Sequence, residues 1–477
     1  MCQRIMNTSI NHTGKTSVFI TIILLVLLFY AALLLKFNSK IALAVLFSIP
    51  ALVFLLYQIV KHPYLGILFM VIGTALDTTG RVPGIGLTPF HIGAVATFFS
   101  LAFNKLYKNE YVLTVPDISG VLYCYIVLIL FSLLYSPSKI GGGVDFLRIT
   151  ALVIVMLSVV NVITTKKQVY VVLSVLVLCS FVLSVLSLRD ILGNSVDLLS
   201  LLTNLNRVGN RTVATFDNPN NLALFLMFSL TVVVSIVINS NAALWKKSIL
   251  VLIAILVLAA IGGTYSRAVW LSTSVAVTFI IFYSKHRNKI LLSVAAAVIV
   301  FGLVFFHHPF VQSIFMRINS ITQVGKEASN STRLFIFSGG LNMFFDSHLI
   351  GVGFGGFPHY YSSLYMPPGQ LLRDVHECHS LPIEILAETG IIGIILAISI
   401  VRRFFKSSIR VISQLNDDPL FRACYIGLVA AMIGFFIDKL FSTGGLLHNW
   451  LWLGLGLVYA CIKIIGRDAS KYNNQLQ

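Results

Sequence analysis

The sequence predicts an all-α, polytopic membrane protein. Hydrophobic residues make up 57% of its 477 residues and charged residues only 11%, whereas about 25% of the residues in a soluble globular domain are charged. The mean hydropathy is +0.91. The apolar residues also fall into runs of the length that an α-helix needs to cross a bilayer. These observations exclude a soluble protein and favour a bundle of 12–14 transmembrane helices.

The candidate membrane helices are apolar runs of about 17–25 residues, with shorter runs counted where Gly or Pro interrupts them. They are residues 17–35, 41–60, 64–78, 86–104, 117–136, 145–164, 168–188, 219–239, 248–264, 267–284, 289–306, 386–404, 419–437 and 447–466. The third and fourth runs are the weakest, because Asp77, Arg81 and two prolines break them. The first run lacks a small-residue cleavage site, so it is predicted to remain as a membrane helix.

These runs divide the chain into three parts. An N-terminal transmembrane bundle of about eleven helices is predicted for residues 1–306, an extracytoplasmic loop domain for 307–380, and C-terminal transmembrane helices for 381–477. The loop has 74 residues, which is too long for a plain connection and is typical of a functional segment. Within it, residues 333–345 have the apolar spacing of an amphipathic helix on the membrane surface or over a cavity. The glycines of residues 351–357 predict a flexible or strongly turned segment.

The basic residues predict the orientation of the chain and a ligand. The formal net charge is +17, but most cations lie in short loops that would face the cytoplasm, as the positive-inside rule requires. Nucleic-acid binding is therefore not indicated. Another set of cations lies on the opposite, outer side, in or beside the three segments 189–218, 262–267 and 307–380. These cations are Arg207, Arg211, Arg267, Arg317, Lys326, Arg333 and Arg373. Because these cations depart from the rule, they predict a polyanionic ligand at the outer face.

Two helix starts on that side carry candidate site residues. Arg207 and Arg211 precede Asn218 and Asn220, and arginine side chains beside helix N-terminal amides can bind phosphate. The alternative is an ordinary helix, capped by Asn218, after a solvated basic loop. His379 stands directly before the helix that Ser380 and Pro382 open.

A metal site near His379 is not predicted. His376, Glu377, Cys378 and His379 are adjacent, but HxxH is not HExxH and one Cys beside two His is weak support for zinc. A structural role is favoured for His376. The other cysteines are dispersed along the chain and predict no disulfide framework.

Several of these residues form motifs that resemble bacterial O-antigen ligases and the related Wzy-type O-antigen polymerases. His379-Ser380 followed by Gly390 and Gly393 matches the pattern H-[NSQ]-x9-G-x2-[GTY]. Ser266-Arg267 and Leu271 match an S-R dipeptide and an R-x3-L motif. Further similarities are F-x-N-P-N at Phe216 and 218–220, and R…D-x-H-x-x-G-V-G-F-G at Arg333, Asp346, His348 and 351–355. The resemblance covers roughly residues 205–400.

The resemblance implies a fold similar to the glycosyltransferase C type and a membrane glycosyltransferase. Such an enzyme moves a whole glycan from an undecaprenyl-diphosphate carrier to an acceptor hydroxyl at the outer face of the bacterial cytoplasmic (inner) membrane, without a metal ion or other cofactor. His379 and Arg267 would be catalytic, with His379 as the base, since the unperturbed pKa of imidazole is about 6.5. The donor-binding residues would be Arg211, Arg207, Arg333, Arg373, Asn218 and Asn220. Besides donor and acceptor, membrane lipids are the expected partners.

Alternative functions remain open from the sequence. A ligase uses a lipid A core sugar as the acceptor and a polymerase uses another carrier-linked glycan; the motifs favour a ligase, whereas fourteen helices favour a polymerase. A lipid-linked glycan transporter would place polar residues near the middle of the bilayer, but here they gather at one face. A scaffold in a polysaccharide assembly complex would explain the long loop but not the arginine placement.

Overall fold

The computed structural model describes residues 53–54, 56–76, 88–107, 113–192, 211–292, 328–367, 378–415, 418–442 and 444–475. These ranges contain helices and no β-strand, which confirms the all-α prediction. The helices are α1 Tyr64–Leu76, α2 Pro89–Tyr107, α3 Ser119–Ser132, α4 Lys139–Val162, α5 Lys166–Leu192, α6 Pro219–Asn239, α7 Leu244–Gly263, α8 Arg267–Phe282, α9 Ala328–Asp346, α10 Phe357–Tyr360, α11 Leu381–Ile412, α12 Pro419–Asp438 and α13 Asn449–Gln475. A π-helical turn, Tyr361–Tyr365, follows α10.

Seven of the described helices are long and apolar enough to cross a membrane, namely α4, α5, α6, α7, α11, α12 and α13. Helices α1, α3 and α8 are apolar but shorter. The two interrupted runs do form helices, α1 and α2. The first run, most of the second and most of 289–306 lie outside the described residues, so the total of fourteen stays a prediction.

Helices α6, α12 and α13 form the most buried part of the bundle. Gly427 brings α12 close to α6, because a Cβ atom there would lie only 2.7 Å from the Cα of Val232. Further towards the start of α6, the rings of Phe225 and Phe228 pack against Trp450 of α13, with centroids 5.3 and 5.0 Å apart. This packing fixes the relative positions of three helices whose ends carry candidate site residues.

Two of the basic segments predicted to face the cytoplasm lie together at one end of the bundle. Lys166 of α5 pairs with Asp418 at the start of α12 (3.1 Å) and with Asp468 of α13 (3.5 Å). Arg467 donates to the carbonyl of Thr164 over 2.8 Å. The starts of α6, α8 and α11 lie at the opposite end.

The described part of the long loop is folded onto α11. Helix α9 confirms the helix predicted over residues 333–345 and packs against α11. A second apolar cluster joins α9, α10 and α11; it consists of Ile336, Met343, Phe357, Tyr361, Cys378 and Ala387. The cluster holds α9 over the N-terminal turns of α11.

Helix α11 is broken at Gly390, where φ is 65° and ψ is −157°. The segment 349–357 fills the break: Val352 N donates to Ala387 O (2.7 Å), Gly353 N to Glu388 O (2.9 Å) and Ile391 N to Leu349 O (2.9 Å). A Cβ atom at Gly390 would lie 2.3 Å from the Leu349 oxygen, and one at Gly351 would lie 2.6 Å from the Glu388 carbonyl carbon. Both α11 and segment 349–357 thus need glycine where they approach each other most closely.

The other side of segment 349–357 contacts the connection between α3 and α4. Ser136 Oγ donates to the carbonyl of Phe354 over 2.8 Å, and Phe354 N donates to Ser132 Oγ over 3.2 Å. A Cβ atom at Gly355 would lie 2.8 Å from the Cα of Gly142. The sequence predicts that residues 351–357 are either flexible or strongly turned. The segment is strongly turned, and it is packed between α3, α4 and α11.

Candidate functional site

The sequence-predicted residues that the structure describes lie at one end of the bundle. Ser272 O of α8 lies 3.4 Å from the position of a Cβ at Gly434 of α12, so the start of α8 lies beside the end of α12. Leu381 N, at the start of α11, donates to Lys439 O over 2.9 Å. Arg333 Nη1 of α9 donates to Phe441 O over 3.2 Å. These contacts bring α8, α9 and α11 to the connection between α12 and α13.

Arg211 joins the start of α6 to the turn before α8. Its Nε donates to Thr264 O over 2.6 Å and its Nη2 to Asn220 Oδ1 over 2.8 Å. Asn218 caps α6, as predicted, because its side-chain oxygen accepts from Asn220 N over 2.8 Å. Arg211, Asn218 and Asn220 therefore position one another, and their phosphate-binding role stays a prediction.

Arg267 is the first residue of α8 and is half-buried. The turn before it is constrained: Tyr265 has a φ of 50°, and Trp270 Nε1 donates to Ile261 O over 3.1 Å. The hydroxyl of Ser266 is buried, and it has no hydrogen-bond partner in the part of the chain that the structure describes. The turn thus fixes the point from which the Arg267 side chain leaves the backbone.

His379 lies within the electrostatic influence of Arg333. Its φ of 58° is unusual for a residue with a side chain. Its two neighbours in the chain, Cys378 and Ser380, are buried. Burial, and then the nearby positive charge of Arg333, lower the pKa of His379 to about 4. The imidazole is therefore neutral at pH 7 and can accept a proton, although it is a weaker base than the sequence alone suggests.

The connection between α12 and α13 adds a buried polar cluster that sequence reasoning missed. Asp438 Oδ2 lies 3.2 Å from Lys439 Nζ, and the two side chains are only 2% and 3% exposed. Ser442 hydrogen-bonds to both of them. Burial and the Lys439 charge hold the pKa of His448 well below its usual value. The available signal was an Asp-Lys pair at the end of an apolar run, where ionisable residues are seldom incidental.

A cavity of 340 Å³ opens between the start of α4, the break in α11 and the α12–α13 connection. It is within the size range of small-molecule sites, about 300–1,000 Å³. Its polar lining consists of Tyr125, Ser138, Asp145, Arg148, His359, Glu384, Glu388 and Thr389. Asp145 and Arg148 form an ion pair of 3.0 Å. Hydroxyl and carboxylate groups in this arrangement can hydrogen-bond a sugar.

The carboxylate of Glu388 also holds the loop segment in place. Its Oε1 accepts from Phe357 N over 3.1 Å. The backbone carbonyl of the same residue accepts from Gly353 N, as described above. Glu388 is 5% exposed, so it connects the cavity wall to the break in α11.

The structure does not bring every predicted residue together. Arg207, Arg373 and His376 lie outside the described residues. Cys378 belongs to the apolar cluster, and its Sγ lies 3.3 Å from the position of a Cβ at Gly340. Within the ranges described above, no three His, Cys, Asp or Glu side chains are grouped to hold a metal ion.

Comparison with known proteins identifies the region that contains most of this site. Residues 251–398 match the family model for the O-antigen ligase. This region is therefore similar to the O-antigen ligase family. It includes Arg267, Arg333 and His379 together with the break at Gly390, and it lies within the range in which the motifs resemble that family. No curated protein matches the chain. The chain is thus a multi-pass helical membrane protein with a region similar to O-antigen ligases.

Proposed function

We propose that the protein transfers a glycan from an undecaprenyl-diphosphate carrier to a hydroxyl of a lipid A core sugar, at the outer face of the bacterial cytoplasmic membrane. The observation that carries this proposal is that the charge of Arg333, on α9, acts on His379, at the start of α11, and that both lie in the region similar to O-antigen ligases. A neutral imidazole beside a guanidinium provides a proton acceptor next to an anion-binding group, and this transfer needs both.

The donor requires cations, because a diphosphate leaves with the carrier lipid. Arg267 and Arg333 lie at the same end of the bundle, and their guanidinium groups would stabilise the charge that develops on the diphosphate oxygens. Arg211 would act mainly by holding the turn before Arg267, since two of its nitrogens donate to Thr264 and Asn220. We assign Arg207 and Arg373 to the same donor site on their sequence positions alone.

The acceptor requires polar groups that orient a sugar. We place the acceptor in the 340 Å³ cavity, which is lined by Glu384 and Glu388 of α11 and by Asp145 of α4. Leu381, which also lines the cavity, is two residues from His379. The acceptor oxygen would attack the anomeric carbon while its proton passes to His379. The bond from that carbon to the diphosphate breaks, so a direct displacement inverts the configuration.

Donor binding would also activate the base. The positive charge of Arg333 lowers the pKa of His379 in the unliganded protein. A diphosphate bound to Arg333 offsets that charge, and the pKa of the imidazole then rises towards its usual value near 6.5. His379 would thus become a better proton acceptor when the donor is in place.

The test compares variants that fail in different ways. In Arg267→Ala, binding of the carrier-linked donor to the purified protein should weaken, and Arg267→Lys should also lose transfer because lysine lacks the bidentate fork. His379→Ala should bind the donor but transfer glycan about 10²–10⁴-fold more slowly. His286→Ala and Arg287→Ala are matched controls, since these exposed residues follow the far end of α8.

The outcomes separate the remaining functions. If Arg267→Ala and His379→Ala express normally and transfer glycan at the wild-type rate, the enzymatic proposal is wrong and a transporter or scaffold replaces it. If the wild-type product is a longer carrier-linked glycan rather than a glycan on the lipid A core, the protein is a polymerase.

A further inference from the structure

A second cavity lies at the opposite end of α11 from His379. Its volume is 490 Å³, and it is formed by the start of α3 and the C-terminal half of α11. The lining residues are Asp117, Val121, Leu396, Ser399, Arg402, Arg403, Lys406, Ser407 and Arg410. Lys406 is sixteen residues beyond the break at Gly390, which corresponds to about 24 Å along the helix. This cavity is therefore separate from the candidate active site.

The lining is strongly and unevenly charged. Four cations face one carboxylate, that of Asp117. Arg402, Lys406 and Arg410 follow each other at intervals of four residues, so they share one face of α11 and repel one another. All four cationic side chains are exposed. None of them takes part in an ion pair with the residues that the structure describes.

The positive-inside rule explains the sign of these charges but not their arrangement. Lys246, in the first turn of α7, and Arg287, beyond the end of α8, are also predicted to face the cytoplasm; both are exposed and neither lines this cavity. The four cations of α11 instead surround a cavity that also offers the hydroxyls of Ser399 and Ser407. A concave surface with this composition is suited to a phosphate group, which accepts several hydrogen bonds at once.

The surface beside the cavity indicates where such a phosphate would come from. Ile395 and Ile398 are 54% and 59% exposed on the apolar part of α11, immediately before the basic residues. In a membrane this surface contacts acyl chains. A phospholipid of the inner leaflet could therefore place its chains against the isoleucines and its headgroup in the cavity. Basic pockets between membrane helices on the cytoplasmic side bind anionic headgroups in this way.

We propose that the cavity formed by α3 and the C-terminal half of α11 binds the phosphate of an anionic phospholipid in the inner leaflet. The bound headgroup neutralises the repulsion among Arg402, Lys406 and Arg410. Because the lipid binds the folded bundle and not the unfolded chain, it stabilises the fold. It also fixes the depth at which α11 lies in the membrane.

The test measures thermal unfolding of the full-length protein in a neutral detergent. Phosphatidylglycerol should raise the midpoint by several degrees, whereas phosphatidylcholine with the same acyl chains and inorganic pyrophosphate should raise it little. The variant R402Q/R403Q/K406Q/R410Q should lose this rise. The control K246Q/K247Q/K285Q/R287Q removes the same number of charges elsewhere and should keep it. If the fourfold variant does not insert, R402Q/K406Q should show a reduced rise.

Three results would overturn the proposal. An equal rise with phosphatidylcholine would mean that the acyl chains act without the headgroup. An equal rise with pyrophosphate would assign the cavity to a soluble anion. An equal loss in the control variant would mean that total charge matters and the cavity does not.

Discussion

The effect of the Arg333 charge on His379 makes activity depend on pH in a defined way. His379 must be neutral to accept a proton, so kcat/KM should fall as the pH drops through its pKa, which is about 4 in the unliganded protein. Arg333→Gln removes a positive charge that disfavours protonation. The pKa should therefore rise, and the acidic limb of the pH profile should move to higher pH. The measurement is kcat/KM for glycan transfer across the acidic range.

Loss of donor binding alone would not produce this shift, because it lowers the rate at every pH. Arg287→Gln is the control, since Arg287 lies beyond the far end of α8. An acidic limb that stays in place in Arg333→Gln would mean that the guanidinium does not act on His379.

Arg211 should matter for stability as well as for transfer. Its hydrogen bonds to Thr264 and Asn220 each contribute about 1.5–3 kcal/mol, because the donor is charged. Solvent weakens them, since Arg211 is only half-buried. We expect Arg211→Ala to lower the thermal midpoint in detergent. Arg211→Lys should recover little, because an ammonium group does not reproduce the fork that joins Thr264 to Asn220. A midpoint equal to that of the wild type would contradict the bridging role.

Much of the site at the residue scale can be predicted from the sequence. The position of His379 before a helix, the cap at Asn218 and the helix start at Arg267 all follow from local patterns. Asp438, Lys439 and His448 do not, because their importance comes from mutual burial across a turn between two helices. Sequence spacing carries no information about such burial.

At the scale of elements, the break in α11 should be intolerant of any side chain. Gly390→Ala would place a Cβ 2.3 Å from the Leu349 oxygen in a left-handed conformation, and Gly351→Ala would place one 2.6 Å from the Glu388 carbonyl carbon. Both variants should lower the thermal midpoint and the yield of monodisperse protein. Gly143→Ala on α4 is the control, since its Cβ would meet no atom within 4 Å among the described residues. Equal stability of all three variants would mean that the close contact is dispensable.

The break also shows where sequence reasoning about elements fails. The helix does begin where Ser380 and Pro382 predict, at Leu381, but nothing in the apolar run over 386–404 predicts that it changes direction at Gly390. The family pattern requires glycine at this position, yet its reason is a contact with Leu349 and Ile350, some forty residues earlier. Hydrophobic periodicity reports on one segment at a time and does not reveal which other segment docks against it.

At the scale of the whole molecule, the two ends of the bundle differ in a way that can be tested in cells. The sequence predicts that the end with α9 faces away from the cytoplasm, because basic flanks bracket it one helix away on each side. Ser329→Cys should react with an impermeant thiol reagent in spheroplasts. Asn288→Cys, in the exposed segment after α8, should react only after lysis. The reverse pattern would invert the orientation and remove the outer-face assignment of the candidate site.

The docking of segment 349–357 has a consequence for the order in which the protein matures during synthesis. The connection between α3 and α4, which includes Ser136, emerges more than two hundred residues before Phe354. The other partner, Glu388, emerges about thirty residues after Phe357. Helices α3 and α4 therefore lack their contacts with segment 349–357 and α11 until α11 has been inserted into the membrane. A nascent chain stalled before Gly390 should remain sensitive to protease within 349–357, and release of the full chain should protect this segment.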